Sequence, residues 1–195
     1  MKVSEIFESI QGEGLYAGSP VLFIRLSGCT RDCSFCDSPN NKDGKEMTVD
    51  EVVERINSSD KSIIVWTGGE PMLQYDEILE VIKKLGRKSH HMETNGDIRK
   101  EMWEFSYVAY SPKDKETAIK INNSTYDCDF DIKVVTDLEL NKDLIQYASR
   151  LMPLTTGNET IDKVIARKVW NYCIENNIKY CARIHIDVWN GKKGV

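Results

Sequence analysis

Short apolar segments alternate with longer amphipathic segments along this 195-residue chain, and this alternation constrains the fold more than any other feature. Apolar segments rich in β-branched and aromatic residues predict strands at 21–26, 62–66, 91–94, 107–110, 132–135 and 182–186. Helical spacing of apolar residues predicts helices at 48–56, 75–85, 138–150 and 159–176. Because strands that alternate with helices form βαβ units, we expect a mainly parallel α/β sheet.

The length of the chain limits how far that sheet can curl. At 195 residues it falls short of the roughly 250 residues of a complete eight-unit barrel. We therefore expect a partial (β/α) barrel of about six mainly parallel strands, in a single domain spanning residues 1–195. Active-site residues in such folds gather where strands end and loops begin, so the residues after each predicted strand are the candidates.

Composition and charge exclude several classes of protein. Hydrophobic residues make up 41% and charged residues 29% of the chain, as in globular proteins. The net charge is −5 and the basic residues are scattered, so no nucleic acid partner is expected. No segment approaches the roughly 18 apolar residues of a membrane span, and the N-terminus lacks a secretory pattern. We therefore expect a cytoplasmic protein with no membrane partner.

The segment after the first predicted strand carries three of the six cysteines: Cys29, Cys33 and Cys36. Their spacing is too tight for a disulfide framework, and metal or redox chemistry is the better interpretation in a reducing compartment. Structural zinc needs four ligands, so a zinc site would need a distant partner such as His90, His91 or Cys128. An iron–sulfur cube held by three cysteines leaves one iron open to another ligand.

A second motif, Thr67-Gly68-Gly69-Glu70-Pro71, follows the next predicted strand. Paired glycines allow a ligand to approach the backbone where a Cβ atom would block it. A tight turn that leads into a helix has the same composition without binding anything. This motif lies about one βα unit after the cysteines. The order and spacing of the two motifs favour a binding site over an ordinary turn.

Together the two motifs resemble the radical S-adenosylmethionine superfamily. The resemblance implies that the three cysteines ligate a [4Fe–4S] cluster, whose open iron binds S-adenosylmethionine, and that Gly68, Gly69 and Glu70 receive the methionine end of that cofactor. It also implies cofactor contacts from Asp37, Glu93, Asn95, Ser111 and Lys113. Polar residues at strand ends are also common as caps and turns.

Three further motifs narrow the resemblance: Gln11-Gly12-Glu13-Gly14, Cys36-Asp37-Ser38 and Ser111-Pro112-Lys113. They are similar to those of the 7-carboxy-7-deazaguanine synthase family, and the likeness extends from the N-terminus to the end of the chain. It implies a lyase that contracts the ring of 6-carboxy-5,6,7,8-tetrahydropterin, with loss of ammonia, on the route to queuosine or archaeosine. It also implies an electron donor such as flavodoxin or ferredoxin, and a homodimer.

The candidate substrate residues combine polar groups near both ends of the chain. Gln11 and Glu13 suit the hydrogen-bonding edge of a 2-amino-4-oxo-pyrimidine ring, although a polar surface turn has the same composition. Arg25 interrupts an apolar strand, where a cation is either paired or directed at an anionic ligand. The family resemblance favours substrate contacts from these residues and adds Gly12, Gly14, Thr67, His185 and Val195. His185 is expected on a terminal strand, where a histidine is often only a core residue.

The residues after Cys36 offer hard oxygen ligands. Mg²⁺ binds few protein oxygens and keeps several waters or substrate oxygens. The resemblance implies Mg²⁺ beside the substrate carboxylate, with Ser38 as its ligand where the family commonly has threonine. The alternative is that Asp37-Ser38-Pro39 only starts a turn.

Two other functions stay open. A glycyl-radical activase of the same superfamily is also small and carries one cluster, but the Gln11-Gly12-Glu13-Gly14 motif argues against it. A zinc-stabilised binding module without catalysis would use the same cysteines. Iron and sulfide content after anaerobic reconstitution separates these two kinds of site.

Overall fold

The computed structural model describes residues 1–36, 43–125 and 128–189. The strands in these residues are β1 Lys2–Ile10, β2 Pro20–Leu26, β3 Lys45–Glu46, β4 Ile63–Gly68, β5 Ser89–Thr94, β6 Tyr107–Tyr110, β7 Asp129–Thr136, β8 Arg150–Pro153 and β9 Lys179–Tyr180. They form a nine-stranded sheet in the order β3-β1-β2-β4-β5-β6-β7-β8-β9.

The sheet is mainly parallel and open. Each neighbouring pair from β2 to β9 runs parallel, whereas β1 pairs antiparallel with both β2 and β3. The short strands β3 and β9 are the two edges, so the sheet does not close. The predicted partial barrel of mainly parallel strands is confirmed, and the described residues give it nine strands rather than about six.

Helices join most of the parallel strands. They are α1 Val49–Asn57, α2 Tyr75–Lys84, α3 Lys115–Asn122, α4 Glu159–Asn176 and α5 Ile184–Trp189, with 3₁₀ helices at Pro71–Gln74 and Lys142–Tyr147. At the start of α1, the Thr48 hydroxyl accepts from the Glu51 amide while the Glu51 carboxylate accepts from the Thr48 amide. This capping box satisfies two donors that a helix start leaves free. None of the helices in the described residues is long and apolar enough to cross a membrane.

The two faces of the sheet differ in chemistry because side chains alternate along each strand. One face carries Leu22, Ile24 and Leu26 of β2 and joins the main apolar core. The helices contribute Val52, Ile56, Ile78, Ala118, Ile165 and Val169 to that same core. The opposite face carries an apolar cluster of Val21, Phe23 and Val65 near the amino ends of the strands. Arg25 and Thr67 pair in register on this same face, closer to the carboxyl ends of the strands. We call this face, which carries the polar side chains, the polar face.

Two predicted elements are wrong. The segment 182–186 was expected to be a strand because its apolar residues alternate, but residues 184–189 form α5. The Ile184 amide donates to the Gly12 carbonyl at 3.0 Å, which draws the chain away from the sheet after β9. The predicted helix 138–150 is interrupted at Leu138 and Asn141, whose φ angles of 81° and 56° are left-handed. A short 3₁₀ helix and β8 take its place.

Strand β1 has no counterpart among the predicted elements. The pairing of β1 with β2 shifts register between Val3 and Glu5, which marks a bulge. Val3 and Ile6 therefore pack against the same core, whereas in a regular strand residues three apart would point to opposite faces. The bulge conceals the two-residue period by which strands are recognised.

Candidate active site

The candidate site lies at the carboxyl ends of the parallel strands, on the polar face of the sheet. The cysteine segment follows β2, and the Gly68-Gly69-Glu70 turn begins at the last residue of β4, its neighbour in the sheet. The loop after β1 begins at the opposite end of β2, where Ile10 pairs with Pro20. Its side chains reach the same face of the sheet, because Gln11 contacts Glu93 of β5 and Glu13 contacts Lys133 of β7.

The three cysteines lie on an accessible loop. Cys29 and Cys36 are exposed, Cys33 is partly buried, and the Cys36 amide donates to the Cys33 carbonyl at 3.1 Å. Burial raises the pKa of the Cys33 thiol, while the nearby Lys113 ammonium acts in the opposite direction. Asp37 and Ser38, the predicted cofactor and Mg²⁺ contacts, lie outside the described residues.

The possible fourth zinc ligands lie far from these cysteines. His90 of β5 pairs with Ile64 of β4, and Ile64 pairs with Leu22 of β2. His90 therefore lies level with Leu22, four residues or roughly 13 Å before the end of β2, where the cysteine segment starts. Its Nδ1 accepts from the indole N–H of Trp66 at 3.2 Å. His91 packs against tyrosine rings on the polar face, and Cys128 precedes β7 at its amino end. The three-thiol donor set therefore fits an iron–sulfur cluster with one open iron better than closed zinc.

The paired glycines bring two loops together. A Cβ atom on Gly68, whose φ is +132°, would overlap the backbone of Leu26, and one on Gly69 would overlap the Gly28 carbonyl. The Gly69 amide donates to the Leu26 carbonyl at 3.1 Å, and the Glu70 amide to the Gly28 carbonyl at 2.8 Å. The close approach that requires glycine is therefore made by the start of the cysteine segment.

Glu70 is a buried carboxylate with neutral partners. Its Oε1 accepts from the Met72 amide at 3.0 Å and from the Thr94 hydroxyl at 2.7 Å, and its Oε2 accepts from the Asn95 amide at 2.7 Å. Burial raises the pKa of Glu70, and these hydrogen bonds only partly offset that effect. The side chain thus joins the turn after β4 to the end of β5.

A polar network connects the cysteine segment to the loop after β5. Asn95 donates from Nδ2 to the Thr30 hydroxyl at 2.9 Å, and Thr30 donates to Asp97 at 2.6 Å. Arg31 binds the Asp97 carboxylate with two N–H groups, at 2.7 and 2.6 Å, and also pairs with Asp114, which caps α3. The first half of the cysteine loop is therefore bound to two other elements by its own side chains.

Ser111 and Lys113, predicted to bind S-adenosylmethionine, flank the same edge at the end of β6. The Ser111 hydroxyl donates to the Lys133 carbonyl at 3.1 Å, and its amide donates to the Thr94 carbonyl at 2.7 Å. The Lys113 ammonium lies 5.7 Å from the centre of the Phe35 ring, within the cysteine segment. Lys113 is therefore placed beside the cysteines, while Ser111 also bridges neighbouring strands.

Glu93 groups with predicted substrate residues rather than with the cysteine segment. It accepts from Gln11 Nε2 at 3.0 Å and from the Thr67 hydroxyl at 2.8 Å. The side-chain Oε1 of Gln11 in turn accepts from the Glu13 backbone amide at 3.1 Å. The Gln11 amide is therefore held at both ends, and it links the loop after β1 to β5.

Glu13 is a largely enclosed carboxylate among cations, with its side chain 12% exposed. Its Oε2 lies 2.5 Å from Lys133 Nζ, and its Oε1 lies 3.1 Å from Arg183 Nε and 3.8 Å from His185 Nε2. Burial alone would raise the pKa of Glu13, but the charges of Lys133 and Arg183 outweigh burial and lower that pKa to about 2. Glu13 is therefore a fixed anion at ordinary pH.

Two glycines shape the loop around this carboxylate. A Cβ atom on Gly12 would overlap the His185 imidazole, so glycine is needed for α5 to approach. Gly14 has a φ of +73°, and its amide donates to the thiol sulfur of Cys181 at 3.1 Å. The predicted grouping of the Gln11-Gly12-Glu13-Gly14 motif with His185 is thus present in space, although His185 reaches it from a helix.

Arg25 is paired within the protein. Its Nε donates to Glu5 Oε2 at 3.0 Å, and its guanidinium lies 5.7 Å from the centre of the Phe7 ring. Arg25 shares its face and register level with Thr67, so it borders the candidate substrate site. Val195, the other predicted substrate contact, lies outside the described residues.

Lys133 and Arg183 were not among the predicted site residues. Lys133 interrupts the apolar sequence Ile132-Lys133-Val134-Val135, which is the same signal that singled out Arg25. A buried lysine needs a partner, and the sequence does not show that this partner is Glu13, 120 residues away.

Comparison with known proteins agrees with this geometry. The family model described as the radical SAM superfamily matches residues 23–192. The 7-carboxy-7-deazaguanine synthase of Methanospirillum hungatei is 46% identical over 101 residues, a match that covers 50% of this chain and 43% of that relative. The enzyme of the same name from Bacteroides thetaiotaomicron is 33% identical over 183 residues, covering 90% of this chain and 95% of the relative.

A solved structure shares the fold. The crystal structure of QueE from Escherichia coli superposes with a TM-score of 0.68 over 94% of both chains, at 21% sequence identity. The family model, the long match to the Bacteroides relative and the three-cysteine loop at the carboxyl ends of a partial barrel all agree. The chain therefore belongs to the radical S-adenosylmethionine superfamily and, within it, to the 7-carboxy-7-deazaguanine synthase family.

Proposed function

We propose that this protein converts 6-carboxy-5,6,7,8-tetrahydropterin to 7-carboxy-7-deazaguanine and ammonia, in the biosynthesis of 7-deazapurines such as queuosine. The reaction is balanced without a net oxidant, because the atoms of the pterin equal those of the two products. The observation that carries the proposal is the pairing of Glu13 with Lys133 on the face of the sheet whose carboxyl ends carry the three-cysteine loop, with Gln11 and Glu93 joining that pair's loop to β5. Family membership supports the same reaction.

The cofactor end of the site suits a [4Fe–4S] cluster and S-adenosylmethionine. Cys29, Cys33 and Cys36 would hold the cluster, and the backbone of the Gly68-Gly69-Glu70 turn would border the cofactor. When bound, the two groups would supply the chemistry that removes a hydrogen atom from C6 of the substrate. The buried Glu70 holds this turn against β5, and the Arg31 network holds the cysteine loop.

The substrate end supplies recognition and excludes water. Glu13 is an ionised acceptor suited to paired N–H donors on an aminopyrimidine edge. Gln11 fixes Glu93 and the Glu13 backbone in place, and the contact of Gly12 with His185 brings α5 over the loop. A site with few water contacts strengthens each of these polar interactions.

Three further features belong to the proposal. Mg²⁺ would bind Ser38 and the substrate carboxylate, because serine keeps the hydroxyl oxygen of the family's threonine. Flavodoxin or ferredoxin would supply electrons, since the cysteine loop is accessible at the surface. A homodimer is expected from the family, and the mass in solution measures it.

Anaerobic reconstitution followed by turnover tests the proposal. The reconstituted protein is incubated with the carboxytetrahydropterin, S-adenosylmethionine, a reductant and Mg²⁺, and 7-carboxy-7-deazaguanine is identified by mass. Cys33→Ala should lose iron and product, whereas Cys128→Ala, at the amino end of β7, should retain both. A fully loaded protein that forms no product would overturn the proposed reaction.

A further inference from the structure

Lys133 is the most closely paired cation at the substrate end, and it occupies a rigid position. It lies inside β7, between two parallel neighbours, and its side chain is 8% exposed. Its ammonium contacts Glu13 Oε2 at 2.5 Å. Burial of a lysine is unfavourable without such a partner, and Glu13 raises the pKa of Lys133 despite that burial.

The other partners of Glu13 occupy less regular segments. Arg183 lies in the loop between β9 and α5, and His185 lies in a helix of six residues. Both act on Oε1, whereas Lys133 acts on Oε2. The Glu13 carboxylate is therefore held at both oxygens, and its contact with Lys133 of β7 is the shortest of the three.

We propose that Lys133 is a specificity-determining positioning residue, which holds Glu13 as an oriented, ionised acceptor for the 2-amino edge of the pterin. This inference rests on the proposed function. A carboxylate accepts hydrogen bonds from both N–H groups of that edge, while a ring with oxygen in place of the 2-amino group presents one donor fewer. A site built to accept from an N–H group discriminates strongly against an analogue that lacks it.

The neighbouring strand offers a matched control. Arg150 of β8 pairs in register with Lys133, and its Nε lies 2.5 Å from Asp131 Oδ2. Its side chain is 9% exposed, almost the same as that of Lys133. Lys133→Met and Arg150→Met thus both remove a buried cation from an ion pair on the same face, but only the first removes a partner of Glu13.

Steady-state kinetics of the reconstituted proteins tests the proposal. Lys133→Met should raise KM for the carboxytetrahydropterin roughly 10- to 100-fold with kcat changed less than about threefold, because Glu13 is no longer oriented to accept charge-assisted hydrogen bonds from the substrate. Its preference for the substrate over the 2-oxo analogue should fall by a similar factor. Arg150→Met should change KM less than about threefold. Lys133→Arg should restore part of the preference.

Each outcome has a defined meaning. If Lys133→Met keeps the wild-type KM and preference, or if Arg150→Met raises KM equally, the inference is overturned. If Lys133→Met does not fold, Lys133→Gln, which removes the positive charge beside Glu13, is measured instead, and a wild-type KM and preference would again overturn the inference. A wild-type protein with a full cluster that forms no product fails before any variant is made, and that result would overturn the proposed function itself.

Discussion

Glu13, at the proposed substrate end, is 12% exposed, and Glu70, at the proposed cofactor end, is fully buried, yet the environments of these two enclosed carboxylates are opposite. Glu13 lies among Lys133, Arg183 and His185, and its pKa falls to about 2. Within the described residues, Glu70 accepts from two amides and a hydroxyl, and burial raises its pKa. The depth of burial is therefore not what sets the charge of a carboxylate here; the kind of partner does.

The difference in partners suits Glu13 and Glu70 to two different roles. In the proposed function, a fixed anion such as Glu13 would accept hydrogen bonds from donors on the substrate. A carboxylate bonded to neutral backbone groups holds loops together, as Glu70 does between the turn after β4 and the end of β5. The comparison predicts that removing charge from each residue has different consequences for folding and for function.

The largest effect is expected from Glu13→Gln. The substitution leaves Lys133 and Arg183 buried with no carboxylate between them, and loss of one partner of a buried ion network costs about 3–5 kcal/mol. Anaerobic urea unfolding of the reconstituted protein measures this loss. Glu159→Gln, in an exposed pair with Lys163, is the control and should leave the urea midpoint unchanged. Equal midpoints for the two variants would refute the prediction.

A smaller effect is expected from Glu70→Gln. The glutamine side chain keeps one acceptor oxygen, but its NH₂ group then faces a donor such as the Asn95 amide. One buried hydrogen bond is lost, at a cost of about 1–3 kcal/mol. Glu70 has no ion pair among residues 1–36, 43–125 and 128–189, so the substitution leaves no described cation without its partner. The same urea experiment measures the loss, and a destabilisation as large as that of Glu13→Gln would contradict the distinction between the two sites.

Sequence patterns predicted the framework of the cofactor end well because its signals are local. The cysteine spacing and the glycine pair lie in short segments directly after β2 and β4, and parallel strands bring such segments to one edge. The capping box of α1 and both bounds of α4 are local signals too. Contacts within a few residues suffice to specify these features.

The substrate end was only partly predictable because its contacts are long-range. Glu13 pairs with Lys133, 120 residues away, and with Arg183, 170 residues away. The strand pattern that placed His185 on the sheet was overridden by the hydrogen bond from Ile184 to Gly12. The same local alternation is compatible with a strand or a helix, and only a tertiary contact selects one.

Acid titration separates the two carboxylates by the sign of their effect. Glu13 has a folded pKa of about 2, below its unfolded value near 4.5, so its stabilisation is present above pH 4.5 and is lost as the pH falls toward 2. Glu70 has a raised folded pKa, so its contribution decreases as the pH rises above 4.5. Each group contributes at most about 1.4 kcal/mol per pH unit.

Unfolding curves between pH 2.5 and 7 measure these slopes. Glu13→Gln should weaken the loss of stability on acidification, whereas Glu70→Gln should steepen the change near and above pH 4.5, since it removes the opposing contribution. The same shift of slope in both variants would be inconsistent with opposite pKa shifts.

The smallest effect on stability is expected at the exposed network of the cysteine loop. Arg31 is about one third exposed, and exposed ion pairs contribute less than about 1 kcal/mol, so Arg31→Gln should leave the urea midpoint nearly unchanged. Its two N–H bonds to Asp97 nevertheless fix the loop that carries Cys29 and Cys33, so a reconstituted cluster should lose iron to a chelator severalfold faster. Lys120→Gln removes an equal charge from an exposed pair on α3 and should retain iron as the wild type does. Salt screens exposed charges, so high ionic strength should bring the wild-type rate of iron loss toward that of Arg31→Gln. The same salt should leave the enclosed Glu13 network, and with it the KM for the pterin, nearly unaffected.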